Sequence, residues 1–368
     1  MINATNINDL GEWLRKAAWP LWLKYGIDRE RGGFLENLDH ETLTSTADFR
    51  RLRVVARQTY VFGQAFHEGL EGADEAVFLG MRYLQEFAQA ADGGYSWRFS
   101  LDNKVIDDTR DLYDHAFVLL ALSSAFGVLP REVLHEEARR LLRYILERFV
   151  HSSGGFVESL PPALPRRQNP HMHLLEALLC ACETFGDTSF LEAARPIVDL
   201  FTRKFFLADP GVLVEEFSQT LEHIPTKDGI FTFEPGHHCE WVWLLDWYQT
   251  YTGPDAHLGQ ISKKMMAQVD RCAQKFGLPD LVAGDGTLIG PQFRLWPQTE
   301  RLKAEVLRAD YSSERVTTAV MQLASWLHPN GLWDERRDAG GAVIAMPSPA
   351  SSLYHLTCAI LTAEQNAE

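Results

Sequence analysis

Asp92-Gly93-Gly94-Tyr95, with Asp111-Leu112-Tyr113-Asp114-His115-Ala116-Phe117-Val118-Leu119-Leu120 beginning sixteen residues on, decides the fold. The glycine pair marks a turn, and the later run is apolar at helical rather than alternating spacing. The same kind of phrase returns at Arg31-Gly32-Gly33-Phe34, Ser153-Gly154-Gly155-Phe156, Pro210-Gly211-Val212, Gly284-Asp285-Gly286-Thr287 and Asn330-Gly331-Leu332. With Gly33, Gly94, Gly155, Gly211, Gly286 and Gly331 as landmarks, the copies stand 61, 61, 56, 75 and 45 residues apart, the spacing of a repeated helical hairpin.

Between the phrases, periodicity predicts twelve helices. One set follows the phrases, over Arg53–Leu70, Asp111–Phe126, Pro170–Phe185, Gly236–Tyr251, Gln298–Ala309 and Ser351–Glu364. The other precedes them, over Leu10–Tyr25, Glu75–Ala91, Leu134–Phe149, Ser189–Phe206, Ile261–Phe276 and Glu314–Leu327. The first set is apolar almost all round, as in Trp241-Val242-Trp243-Leu244-Leu245, whereas Glu136-Glu137-Ala138-Arg139-Arg140-Leu141 carries a charged face. An all-α protein with an inner and an outer helical layer follows. Periodicity leaves two closures open, a straight solenoid and a ring.

Composition narrows the function. Thirty-five Lys and Arg against 50 Asp and Glu give a net charge of −15, which repels polyanions, so no nucleic-acid partner is expected. Mean hydropathy is −0.18, and no apolar run reaches the 18 or so residues of a membrane span. The start, Met1-Ile2-Asn3-Ala4-Thr5-Asn6, has neither a basic nor an apolar leader segment, and the expected compartment is the cytoplasm. Cys180, Cys182, Cys239, Cys272 and Cys358 are odd in number, lack CxxC spacing and mostly fall in apolar runs, so neither disulfides nor structural zinc are expected.

Reactive side chains gather at the starts of the apolar helices: Arg57; Tyr113 with Asp114 and His115; Asn169 with His171 and His173; His237 with His238 and Glu240; Trp296 with Glu300; and His355. From Arg57 through Asp114, His173, His237, Glu300 and His355 the steps are 57, 59, 64, 63 and 55 residues, in time with the repeat. In a ring such positions converge on one small ligand. Helix starts also attract polar caps, which accounts for Asn169 and Ser351 but not for the histidines or Trp296. His171 and His173 are two apart and cannot share a face; His237 and Glu240 are three apart and can, so Glu240 can fix the imidazole tautomer or bind a hydroxyl. His355 is expected in the first turn of the last helix, where the dipole favours a neutral base. Three imidazoles, His173, His237 and His355, could close on a metal, although no HExxH spacing supports one. No GxGxxG, GxxxxGK[ST] or GxSxG motif is present.

Five segments together resemble the N-acylglucosamine 2-epimerase family, in particular its mannose isomerase and sulfoquinovose isomerase branch. They are Arg57-Gln58-Thr59-Tyr60, Asp111-Leu112-Tyr113-Asp114-His115, Asn169-Pro170-His171-Met172-His173, Glu234-Pro235-Gly236-His237-His238-Cys239-Glu240-Trp241 and Arg294-Leu295-Trp296-Pro297-Gln298-Thr299-Glu300. The resemblance implies a closed (α/α)6 barrel, one catalytic domain over residues 1–368, and histidine acid/base chemistry on an open-chain sugar without metal or other cofactor. It implies His237 and His355 as the catalytic pair and His173 as a third catalytic histidine. Arg57, Tyr113, Asn169, Glu240, Trp296 and Glu300 are implied to hold the substrate, a small monosaccharide. The expected assembly is a monomer or homodimer.

A neutral histidine can take the C2 proton of an open-chain aldose to give a cis-enediol. Its return to C1 gives a ketose, and to the opposite face of C2 the epimer. The Glu234–Trp241 segment leans towards the mannose isomerase branch, and D-mannose–D-fructose interconversion is the expected reaction, with a 2-epimerase of a free aldose or N-acylglucosamine as the alternative. A sulfonated sugar would need a basic group, for which Lys227 and the arginines are the candidates. Two other classes stay open. A glycoside hydrolase or lyase would pair Asp114 with Glu240 or Glu300, and a non-enzymatic repeat scaffold would bind protein along an open face.

Overall fold

The computed structural model describes residues 1–225, 231–289 and 292–366. Lys227 lies outside them. Among the described residues are thirteen α-helices: α1 (Ile7–Trp13), α2 (Trp19–Tyr25), α3 (Leu52–His67), α4 (Ala73–Tyr83), α5 (Leu112–Ser124), α6 (Arg131–Arg148), α7 (Asn169–Phe185), α8 (Thr188–Leu200), α9 (Pro235–Thr252), α10 (Ala256–Cys272), α11 (Trp296–Leu307), α12 (Ser313–Ala324) and α13 (Ala350–Asn366). A π-turn at Leu14–Ala18 joins α1 to α2, so the thirteen make the twelve expected rods. Two more π-turns, Leu84–Ala88 and Phe201–Phe205, extend α4 and α8. The helix at 256 starts five residues before its expected Ile261 because Asp255 caps it, accepting from the backbone N–H groups of His257 and Leu258.

The chain folds as two compact units. One comprises Trp19–Leu200 and Pro349–Tyr354, the other Met1–Ala18, Phe201–Ser348 and His355–Glu368. In the first, α3, α5 and α7 lie side by side, backed by α4, α6 and α8. In the second, α9 packs on α11, backed by α10 and α12. α5 and α9 are buried along most of their length, whereas α6 and α10 bury one stripe, which matches the layering read from the sequence.

The glycine phrases open short β-hairpins after the outer helices and are not direct helix-to-helix turns. Ala90 donates to the Gly94 carbonyl, and His151 does the same to Gly155. Short strands fill the way to the next inner helix, as where Phe49–Arg51 pairs with Arg98–Ser100. The fifth landmark is corrected. Gly286 sits in a hairpin tip, with Ala283 N–H bonded to Thr287, well past the end of α10. Gly277 takes the repeat position instead, which evens the last two steps to 66 and 54 residues.

What makes five of these positions equivalent is a staple, carried on an inner helix in four repeats and just before α13 in the fifth. His115 Nε2 accepts from Tyr95 N–H at 3.0 Å, His171 Nε2 from Phe156 at 2.9 Å, and His238 Nε2 from Leu213 at 2.9 Å. Gln298 Oε1 does the same for Leu278 at 2.8 Å, and Ser348 Oγ for Trp333 at 3.1 Å. At Gly277, φ is +116° and a Cβ would stand 2.1 Å from Gln298 Oε1, so only glycine fits beneath the staple.

Candidate active site

The staples separate structural from reactive residues. Two residues along a helix is a rotation of about 200°, so Tyr113, Asn169 and Trp296, two before a staple, and His173, Glu240 and Glu300, two after one, lie on the opposite side of their helices. His115, His171 and His238 are spoken for by backbone. Burial lowers their pKa values to about 4, 3 and 3, so they stay neutral.

In the first unit, Arg57 Nη2 donates to Tyr113 Oη at 2.5 Å, and its guanidinium lies 4.1 Å from the Phe117 ring centre and 4.8 Å from that of Tyr354. His173 is buried between the Tyr113 and Phe117 rings at 4.7 and 4.8 Å, with Nδ1 3.0 Å from Glu176 Oε2. Tyr354 Oη donates to the other Glu176 oxygen. Asn169 is the first residue of α7 and is half-buried; Gln168 holds the cap position, so Asn169 is not the cap expected of it. Asp114 is fully buried, 2.8 Å from Arg53 Nε. Burial still pushes its pKa up to about 7 against the pull of Arg53.

In the second unit, His237 and His355 both pack on Trp296, with ring centres 4.9 and 6.0 Å from the indole. Gly236 permits that approach, since a Cβ there would come within 2.5 Å of the Trp296 ring. His237 Nδ1 lies 3.0 Å from Glu215 Oε2. Burial would lower the His237 pKa, but the carboxylates of Glu215, Glu234 and Glu240 outweigh it and push it up to about 10. Burial pushes Glu234 up to about 7. Glu240 was expected to fix the His237 tautomer or to bind a hydroxyl; Glu215 takes the contact with His237, and buried Glu240 adds its charge. His355 is buried in the second turn of α13, not the first, with Nδ1 2.9 Å from Glu300 Oε1. Glu300 Oε2 lies 2.6 Å from Lys303 Nζ.

Sequence reasoning missed Glu215, Glu176, Tyr354 and Lys303. Glu215 is 22 residues before its histidine on a loop without periodicity. Glu215, Glu234 and His237 bring one ligand atom each within 4.8 Å of one another, a donor set able to take a divalent cation. No helix of the described residues is long and apolar enough to cross a membrane.

The model of the family described as N-acylglucosamine 2-epimerase (GlcNAc 2-epimerase) matches residues 32–359. The chain belongs to that family. It is 35% identical to the mannose-6-phosphate isomerase of Rhizobium meliloti, over 97% of this chain and 96% of that one. A solved D-mannose isomerase matches with a TM-score of 0.87 at 22% identity, covering 99% of each chain. The cellobiose 2-epimerase of Bacillus thermoamylovorans matches with a TM-score of 0.85 at 19% identity, covering 98% of this chain and 99% of that one. These solved structures are (α/α)6 barrels, and so is this N-acylglucosamine 2-epimerase family member; the solenoid is set aside. The family's members are sugar isomerases and epimerases, so the chain is an enzyme of that kind.

Proposed function

We propose that the protein interconverts an aldose and a ketose, D-mannose and D-fructose, by proton transfer through a cis-enediol. Two buried histidines of one unit carry the reading: His237 and His355 both pack on Trp296, each with Nδ1 on a carboxylate. A carboxylate on Nδ1 fixes the tautomer and assigns proton transfer to Nε2. His355 is the base that takes the C2 proton of the open-chain sugar. His237, held protonated by its carboxylates, donates to the carbonyl oxygen as the enediolate forms and stabilises that charge. Trp296 supplies an apolar surface beside both.

His173 is assigned to proton transfer during ring opening. Arg57, Tyr113, Asn169, Glu240 and Glu300 are assigned to positioning the sugar, Glu300 through His355. The enzyme is further read as one catalytic domain, cytoplasmic, monomeric or homodimeric, acting on a monosaccharide without cofactor, metal or nucleic acid. Glu300 is held ionised by Lys303, which weakens it as the acid of a glycosidase. A 2-epimerase is the second reading, favoured by the match to a cellobiose 2-epimerase.

Proton NMR of chelator-treated enzyme with D-mannose in D2O tests this. Fructose formation is the expected result. Glucose deuterated at C2, without fructose, establishes the epimerase. Turnover of mannose 6-phosphate but not mannose moves the substrate to the phosphorylated sugar named for the Rhizobium meliloti relative. Activity lost on chelation and restored by a divalent cation overturns the metal-free mechanism.

A further inference from the structure

Behind His355 lies a lysine that the chemistry above does not use. Lys303 has no exposed surface, and neither has Glu300 one turn before it on α11. The Lys303 ammonium is 2.6 Å from Glu300 Oε2, 3.5 Å from the centre of the Trp243 ring and 3.7 Å from Cys358 Sγ. The other Glu300 oxygen meets His355 Nδ1 at 2.9 Å. Lys303, Glu300 and His355 thus form a continuous row of ionisable groups running from the core of the unit to the histidine.

A buried lysine is an expensive way to fill an apolar site. A methionine or leucine would pack against Trp243 without desolvating a charge, and buried ion pairs are weak contributors to stability. The charge has an effect that packing does not. A buried carboxylate lacking a counter-charge either takes up a proton itself or draws one onto a neighbouring imidazole. In the first case Glu300 donates to His355 Nδ1 and leaves the hydrogen on Nε2. In the second His355 is an imidazolium. Neither form has a lone pair on Nε2.

We propose that Lys303 is the positioning residue that makes His355 a base: its ammonium keeps Glu300 ionised and cancels the carboxylate's pull on the imidazole, leaving His355 neutral with its hydrogen on Nδ1. This rests on His355 being the base, as assigned above. The groups facing the row are Thr299 on α11, Cys239 and Trp243 on α9, Cys358 on α13, and Trp296. Arg301 and Arg308, which act on Cys239, are each paired with Glu305. Although burial opposes ionisation, Lys303 first and then His355 hold the Glu300 pKa down to about 2. At His237, where two further carboxylates face the ring, the shift runs the other way.

The first test uses the unmodified enzyme labelled with 15N-histidine, the His355 signal being identified by its loss in H355N. At pH 7 His355 is expected as the neutral Nδ1–H tautomer. An imidazolium, or an Nε2–H tautomer, overturns the proposal whether or not mannose is a substrate. The second test is the pH profile of C2-proton exchange in D-mannose by K303M. Its acid limb is expected to move up by about 1–2 pH units, with at least about a tenfold loss at pH 7 that alkali recovers. A uniform loss at every pH, or an unmoved limb, means a merely structural lysine. If K303M does not fold, E300Q/K303M removes both charges while the new amide oxygen still accepts from Nδ1. In that variant His355 is expected neutral and the acid limb back near its original position; a limb still displaced overturns the proposal. Absence of exchange in the unmodified enzyme counts against the isomerase reading and leaves the histidine spectrum to decide Lys303.

Discussion

Glu215 and Lys303 act on the two histidines of one unit in opposite directions. Because carboxylates push the His237 pKa up to about 10, its proton is present through neutrality and is lost only as the pH rises through that value. E215Q removes one of those charges, so the alkaline limb of kcat against pH is expected to move down by about one unit or more, with the fold intact by circular dichroism. An unmoved limb would show that His237 is not the acid. H237N and H355N are each expected to lower the rate of C2-proton exchange by about 10²–10⁴-fold, the range for a lost general acid or base. A change below about threefold in either removes that residue from the chemistry. At this scale the histidines and Glu300 were legible, and the pairings between them were not. His237 stands at a repeat position within a recognisable segment and His355 at a repeat position, whereas Glu215 is brought to His237 by a loop and Glu300 to His355 by the contact of α11 with α13.

At the scale of the element, one rule accounts for three histidines that looked reactive. His115, His171 and His238 do with an imidazole what Gln298 does with an amide: accept from the backbone after a glycine turn. His171 and Gln298 also reach the carbonyl four residues back, that of Arg167 at 2.9 Å and of Arg294 at 2.9 Å. The equivalence makes H171Q the mild substitution and H171L the damaging one. H171L leaves Phe156 N–H buried without an acceptor, at an expected cost of about 1–3 kcal/mol in urea unfolding, and H171Q is expected to cost less than half as much. Equal costs would mean that the ring's shape, not its acceptor, is what the site needs. Helices were readable because their apolar faces span several turns. The hairpins that carry the staples were not, since strands of two or three residues hold no period to read, and Gly286 was taken for Gly277 because its phrase resembles the others more closely.

For the molecule as a whole, periodicity supplied six hairpins, but closure into a barrel depends on how the first and last repeats meet, which no local pattern encodes. Resemblance to the family, and then the match to solved barrels, supplied it. The same need to sum distant contributions governs stability against pH. The three staple histidines have folded pKa values below the unfolded value of about 6.5, so their contribution is present above that pH and is lost as pH falls towards 3 or 4. Asp114, Glu158 and Glu234, pushed up to about 7 by burial, take up protons in the folded state over the same range and offset that loss. Total stability is therefore expected to change little between pH 7 and pH 5, while a single staple variant does not share the balance. In H171Q one histidine is gone and all three carboxylates remain, so its stability relative to the unmodified protein should rise by about 2 kcal/mol between pH 7 and pH 5, enough to turn its small deficit into a surplus. Urea unfolding of both proteins at the two pH values measures that difference. A deficit that stays constant would show that His171 is protonated in the folded state at pH 5, which is incompatible with its accepting the Phe156 N–H through Nε2.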